Sequence, residues 1–350
     1  MNKIQSFIAL NVRANPTKIV QLTAQNFGIT RQAVHRHLRA LIEKNLIKAT
    51  GHTRARHYEI IPFYKGHYTV DLTIHQDEDK IWRDLVFPHV KNYPANILEI
   101  CCYGFTEIMN NAIDHSSGDK GTILIALSVD EIQFVIGDNG VGIFRKIKDA
   151  CGLEDEHQAI LELSKGKLTT DPGRHSGEGI FFTSRAFDSF LITSYGLDFI
   201  KDEENEILYD TPINDWTRNA PGTAVGLRIS PTAKTNLNDV FSRHTNQVDG
   251  DAAGFTKTII ALRLALYENE GLVSRSQAKR VMARADHFKE VVLDFEGIGA
   301  IRQGFADEIF RVFKNNHPSI ILEVVNANQS VTGMIAHVRN NEATTPSTIG

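Results

Sequence analysis

The sequence predicts a multi-domain α+β protein in three parts, and three observations predict it. The 350 residues suffice for two or three domains at roughly 100–200 residues each. Charge is split unevenly between the ends. The hydrophobic period also changes along the chain, from helical spacing, through strand-like runs separated by glycine motifs, to alternating strand and helix. Hydrophobic residues make up 42%, ample for packed cores. Residues 1–61 hold ten Lys and Arg against two acids, a net +8, and the remainder holds 28 against 40, a net −12. The whole chain, at −4, has no excess for a polyanion, so a nucleic-acid contact is expected only at the basic end. Three cysteines, Cys101, Cys102 and Cys151, with no C-x-x-C spacing, rule out a disulfide scaffold and fit a reducing compartment. The chain has no signal-peptide pattern and no apolar run of about 18 residues. The expectation is a cytoplasmic protein with no membrane partner.

In the basic end, Pro16 can open a helix carrying Ile19, Val20 and Leu22, which Asn26-Phe27-Gly28 breaks. Thr30 is placed to cap a second helix from Arg31 to about Lys44. Val34, Leu38 and Leu41 fall on one face of it, and Gln32, His35, Arg36 and Arg39 on the other. His35 and His37 have no acidic or cysteine partner nearby, so they read as one exposed and one packed residue rather than metal ligands. Segments 46–50 and 56–61 then read as two strands joined by the basic tip 51–55. The stretch FGITRQAVHRHLRALIEKNLIKATG resembles the recognition segment of bacterial winged helix-turn-helix regulators. That resemblance implies double-stranded DNA as the partner of residues 1–62, with Arg31, Gln32, His35 and Arg36 facing bases and Arg54 and Arg56 facing phosphates. The other use of such a module is protein docking or dimerisation.

The middle opens with a long helix, NILEICCYGFTEIMNNAIDHSSG, whose apolar side is Ile97, Ile100, Cys101, Gly104, Phe105 and Ile108. Glu107, Asn111 and Asp114 recur at four and three on another face, oxygen ligands suited to a hydrated divalent cation. Strand-like runs 122–129 and 132–136 lead to Gly137-Asp138-Asn139-Gly140-Val141-Gly142. A polar stretch of about thirty residues separates this from Gly173-Arg174-His175-Ser176-Gly177-Glu178-Gly179, which opens an apolar helical segment. A structureless loop of that length predicts a lid, with Lys165, Lys167 and Arg174 as its cations. Neither a Rossmann fingerprint nor a Walker loop is present.

In this order, FTEIMNNAIDHSSG, IGDNGVGI, GRHSGEGI and PGTAVGLRI resemble the motifs of the GHKL superfamily of gyrase, histidine kinases and mismatch-repair ATPases, over about residues 95–232. The resemblance implies an α/β sandwich, a mixed sheet covered by helices on one face, and ATP with Mg²⁺ as cofactors. It implies Glu107 as the general base and Asn111 as the Mg²⁺ ligand, with Asp114 at the place where gyrase-like members carry an acid. It further implies Asp138 as acceptor of the adenine amino group, Gly140 and Gly142 as points of close approach to the base, Gly173, Gly177 and Gly179 as the phosphate-binding box, and Thr223 as a hydrogen-bond partner near Asp138. An acid at Glu107 separates this chain from sensor histidine kinases, which typically lack one there, and His115-Ser116 is closer to the anti-sigma serine kinases. His89, beside Pro88, reads as structural.

The last third begins after a polar linker at 246–254. A helix from Ser274 to about His287, a strand at 291–295, a helix at 305–313, a strand at 320–325 and a helix at 331–338 form a small α/β unit. This order resembles the STAS-like module of uncharacterised function found behind such ATPase domains. Residues 297–304 hold no Ser or Thr where anti-anti-sigma factors carry a phosphoacceptor, and Asp307 and Glu308 read as solvated acids. The predicted divisions are 1–62, 63–245, 246–340 and a disordered tail, 341–350. Together the resemblances imply an ATP- and Mg²⁺-dependent regulator, a homodimer with a protein partner at its STAS-like part. An anti-sigma-type Ser/Thr protein kinase and a non-hydrolysing ATP sensor are the alternatives.

Overall fold

A computed structural model describes residues 1–52, 56–74, 77–168, 177–202, 206–209, 221–246, 254–266 and 271–342. Three helices come first: α1 (Lys3–Asn11), α2 (Ile19–Phe27) and α3 (Arg31–Glu43). Asn2 and Gln5 form a capping box on α1, Gly28 ends α2 at φ 62°, and the Thr30 hydroxyl accepts from Ala33 N at the start of α3. Strands β1 (Ile47–Thr50) and β2 (His57–Ile60) pair antiparallel. Val34, Leu38 and Leu41 join Ile8, Ile19 and Tyr58 in a core separate from the rest of the molecule. The α1 helix lies before the first helix that the sequence predicts. Its apolar residues form only a short run, and Ile8, with Val12 just past the helix, closes this core.

The next part is built on a seven-stranded sheet. Strand β3 (Tyr64–Asp71) is followed by α4 (Glu78–Ile81), a π-helical turn (Trp82–Val86), α5 (Phe87–Val90) and the long α6 (Ala95–His115). Then come β4 (Lys120–Leu127), β5 (Ile132–Asp138), α7 (Ile143–Cys151), α8 (Glu156–Lys165) and α9 (Gly179–Ala186). Strands β6 (Ser189–Ser194), β7 (Leu197–Asp202), β8 (Glu206–Tyr209) and β9 (Ala224–Ile229) precede α10 (Leu237–Ser242). The strand order is β3-β4-β5-β9-β6-β7-β8. The predicted apolar side of α6 is buried as a whole.

Two expectations change here. The sheet is not mixed: all six pairings are antiparallel. The helical crossover from β5 to β6 leaves room for one strand, and β9 fills it antiparallel to both. Nor is the stretch after Gly142 structureless. Gly152 ends α7 at φ 62°, the Asp155 carboxylate caps α8 at Gln158 N, and Phe144, Ile147, Ile160 and Leu163 are buried. Charges around these few apolar positions hid a helical pair.

Short strands β10 (Thr245–Asn246) and β11 (Gly254–Phe255) pair with each other across the predicted linker, most of which lies outside the described residues. The final part has β12 (Lys257–Ala261), α11 (Arg275–Met282), β13 (Glu290–Asp294), α12 (Gln303–Asp307), a π-helical turn (Glu308–Phe313), α13 (Lys314–Asn316), β14 (Ile321–Val325) and α14 (Gln329–Glu342). Strands β12, β13 and β14 form a parallel sheet. The helix predicted to reach His287 stops at Met282, because Ala283 is extended and Arg284 turns left-handed at φ 59°. Residues 341–342 of the predicted tail belong to α14, and 343–350 lie outside the described residues. The core of the middle part runs unbroken into the core of this last part. Among the described residues, no helix is long and apolar enough to cross a membrane.

Candidate functional site

Strand β5 ends on Asp138, and the loop after it is laced to the end of α6. The amide of Val141 donates to the Ser116 carbonyl at 2.9 Å, and the Asn139 side chain accepts from Asp119 N and Lys120 N. One Asp138 oxygen, Oδ1, accepts from Gly140 N at 2.8 Å and from Thr223 N at 3.3 Å. Thr223 uses its carbonyl to accept from Asp138 N and its hydroxyl to accept from Ile143 N, both at 2.9 Å. The carboxylate is therefore fixed in orientation through one oxygen. Burial pushes its pKa above the usual carboxylate value, and the two amide donors partly offset that rise.

Asp138 and Thr223 line a cleft of about 840 Å³, counted out to its open mouth. Its walls are mainly aliphatic: Ile108 from α6, Ile136 from β5, Ile143 and Ile147 from α7, and Val225 from β9. Asn111, His115, Ser116 and Lys146 also line it. A mainly aliphatic cleft with one oriented carboxylate suits a base carrying an exocyclic amine.

The α6 triad is only partly assembled. Asn111 lines the cleft, whereas Asp114 is exposed and does not. Glu107 lies one turn before Asn111 with its carboxylate against the α9 start, where a Cβ added at Gly179 would meet Glu107 Oε2 at 1.9 Å. Burial and the charges of Glu107 and Glu178 push the Tyr103 phenol up, so an acidic patch surrounds this helix start.

The glycines have different reasons. Gly177 (φ 70°) and Gly142 (φ 86°) line the cleft in the left-handed region. A Cβ at Gly140 would stand 2.0 Å from the Ser116 carbonyl, so the close approach there is to the chain's own backbone. Gly173 and Arg174 lie outside the described residues.

The expected lid cations point elsewhere. Lys165 is fully buried and tied to Glu162, and Lys167 donates to the His287 carbonyl at 3.0 Å over the Phe288 ring. Leu163 and Leu168 of the same segment do line the cleft. Sequence reasoning missed Lys146, whose ammonium donates to the His115 carbonyl at 2.6 Å and lines the cleft. It sits in the first turn of α7, a helix the sequence did not announce. Tyr195 was also missed: its hydroxyl donates to the Gly140 carbonyl at 3.2 Å and its ring stacks under Arg145 at 3.4 Å. His89 stacks on Tyr64 at 3.8 Å and hydrogen-bonds its hydroxyl at 2.7 Å, away from the cleft.

In the first part, Arg31, Gln32, His35 and Arg36 are all exposed on α3, and His37 is half-buried. Arg31, His35 and Arg56 share a groove with Lys18 and Tyr58. Arg54 lies outside the described residues.

Residues 277–332 match the family model of the STAS-like domain of unknown function (DUF4325). No curated protein and no solved structure matches the chain.

Proposed function

We propose that the chain is a nucleotide-dependent regulator. In this reading a GHKL-type unit at about residues 63–245 binds ATP with Mg²⁺. Its state sets DNA contact by a winged helix-turn-helix at residues 1–62 and protein contact by the STAS-like part. The observation that carries the reading is Asp138: Oδ1 is held by Gly140 N and Thr223 N at one side of an aliphatic slot, leaving Oδ2 to accept from an adenine amino group. The amides of Gly177 and of the first turn of α9 are the donors available to phosphate oxygens.

The donor set fits Mg²⁺ arriving with the nucleotide. The described residues hold no group of three His, Cys, Asp or Glu that would cage a metal alone. Mg²⁺ needs only one or two protein oxygens beside phosphates and waters, and the Asn111 amide in the cleft supplies one. When bound, the ion would offset phosphate charge. Glu107 would orient a water and take its proton as the oxygen attacks the γ-phosphorus and ADP departs, giving ADP and phosphate.

The basic groove holding Arg31, His35, Arg56 and Lys18 supports the DNA role, since it gathers cations from α3, the hairpin and the α2 start. The kinase alternative would act on a partner protein, since residues 297–304 hold no Ser or Thr to serve as a built-in acceptor.

Following the γ-phosphate of labelled ATP with wild type and Glu107→Ala tests the reaction. Free phosphate that the variant no longer releases supports hydrolysis. Label transferred to an added protein replaces it with a kinase, and label left on bound ATP replaces it with a sensor.

A further inference from the structure

Helix α8 carries a buried charged joint that its position in the sequence does not explain. The ammonium of Lys165, with the residue 0% exposed, has three partners for its three protons: Glu162 Oε1 at 2.6 Å, the Ala283 carbonyl at 2.9 Å and the Arg280 carbonyl at 3.3 Å. Those two carbonyls are at the C-terminal end of α11, where the helix dipole favours a cation; the Arg280 carbonyl also accepts from Ala283 N at 3.2 Å. A lysine from one part of the chain thus caps a helix of the STAS-like match. The other Glu162 oxygen accepts from Arg284 Nη1 at 3.3 Å, and Arg284 also donates to the Lys167 carbonyl. Arg284 holds a left-handed backbone (φ 59°) rare for a residue with a side chain. The Thr258 hydroxyl closes the set, donating to the Lys165 carbonyl at 2.7 Å from β12.

The same short segment forms one wall of the cleft. Leu163 and Leu168 line it, and Leu168 N donates to the Gly177 carbonyl at 3.1 Å. Within residues 162–168, Leu163 and Leu168 thus face the cleft while Glu162, Lys165 and Lys167 are tied to the STAS-like part. Neither side can shift without moving the other or breaking buried charge pairs, which is costly because the freed charge is left without water.

We propose that the Glu162–Lys165–Arg284 joint couples the cleft to the STAS-like part, so that wall segment 162–168 and residues 280–287 move as one body and each reports the state of the other. The coupling is reciprocal: a partner on the STAS-like part changes affinity at the cleft by the same factor as the cleft's ligand changes affinity for the partner. The proposal rests on the nucleotide reading only for the identity of that ligand.

Hydrogen exchange on the full chain tests it, with wild type and Arg284→Met, each alone and with Mg²⁺ and the ATP analogue AMP-PNP. Arg284→Met leaves the Lys165–Glu162 pair in place, and Lys165→Gln is the second variant. Without nucleotide, Arg284→Met is expected to speed exchange at least about tenfold in both 156–168 and 277–287. Faster exchange in only one segment, or in neither, overturns the joint. With AMP-PNP, both segments of wild type slow, and the slowing at 277–287 disappears in Arg284→Met. Binding that leaves 277–287 unchanged in wild type overturns the proposal. No binding of AMP-PNP at all defeats the nucleotide reading instead, and the nucleotide-free comparison still decides the joint.

Discussion

Asp138 is a carboxylate with one oxygen bound by the loop and one left for a ligand, so it separates binding from folding. Asp138→Ala is expected to weaken ATP binding about 10- to 100-fold, the range for loss of a hydrogen bond to a charged group. Because burial raises its pKa, ionisation is lost at a higher pH than for an ordinary carboxylate. Affinity for adenosine is thus expected to fall as pH drops, starting above the usual value near about 3.9, and Asp138→Asn should flatten that fall. Two glycines make a second comparison. At Gly179 an added methyl meets the movable end of Glu107, whereas at Gly140 it meets the Ser116 backbone. Gly179→Ala is expected to keep the fold and nucleotide binding while slowing phosphate release at least about tenfold. Gly140→Ala is expected to destabilise the loop itself, read as a lower melting temperature. These positions stand out in the sequence because motifs with glycine at fixed offsets mark backbone geometry, but the sequence does not say which neighbour demands the space.

At the scale of elements, His244 follows α10 and lies among Phe181, Phe182 and Phe255, its Nδ1 without a partner among the described residues. Burial, with the nearby Arg185 charge, lowers its pKa from 6.5 to about 4. The folded state therefore binds fewer protons than the unfolded state between those values, and stability falls as pH drops from about 6.5 to about 4. Chemical denaturation across that window should show the fall, and His244→Phe should reduce it. Helix α6 and helix α3 were legible because their apolar residues repeat at helical spacing over many positions. Helices α7 and α8 were not, since α7 buries only Phe144 and Ile147 and the buried run of α8 includes the charged Glu162 and Lys165. A buried ion pair looks like surface charge in a sequence, and only the fold supplies the α11 carbonyls that make it stable.

At the scale of the molecule, two cores imply two melting units. The first part has its own core, and its Arg13, 53% exposed, pairs with both oxygens of Asp130 (2.9 and 3.3 Å) and lies 3.6 Å from Glu131 in the turn between β4 and β5. With the Arg13 side chain half exposed, this link is weak beside either packed core. Calorimetry is expected to resolve one transition for the first part and a single one for everything after it, since the other core is continuous. DNA binding is likewise expected to weaken in Arg31→Ala/Arg36→Ala, with a shallower salt dependence, while nucleotide affinity stays unchanged. The separate core of the basic first part falls where the charge and period change in the sequence. The docking of the last part onto the cleft wall was not, because it depends on pairs such as Lys165 with Ala283, 118 positions apart.

The central claim is that the cleft at Asp138 binds an adenine nucleotide. Titration calorimetry of the full chain with Mg²⁺ and AMP-PNP, alongside Asp138→Ala shown to be folded by its melting curve, tests this most directly. The account predicts one site per chain in wild type and affinity at least about tenfold weaker in the variant. Equal affinity in a folded Asp138→Ala, or no binding by wild type, would contradict it.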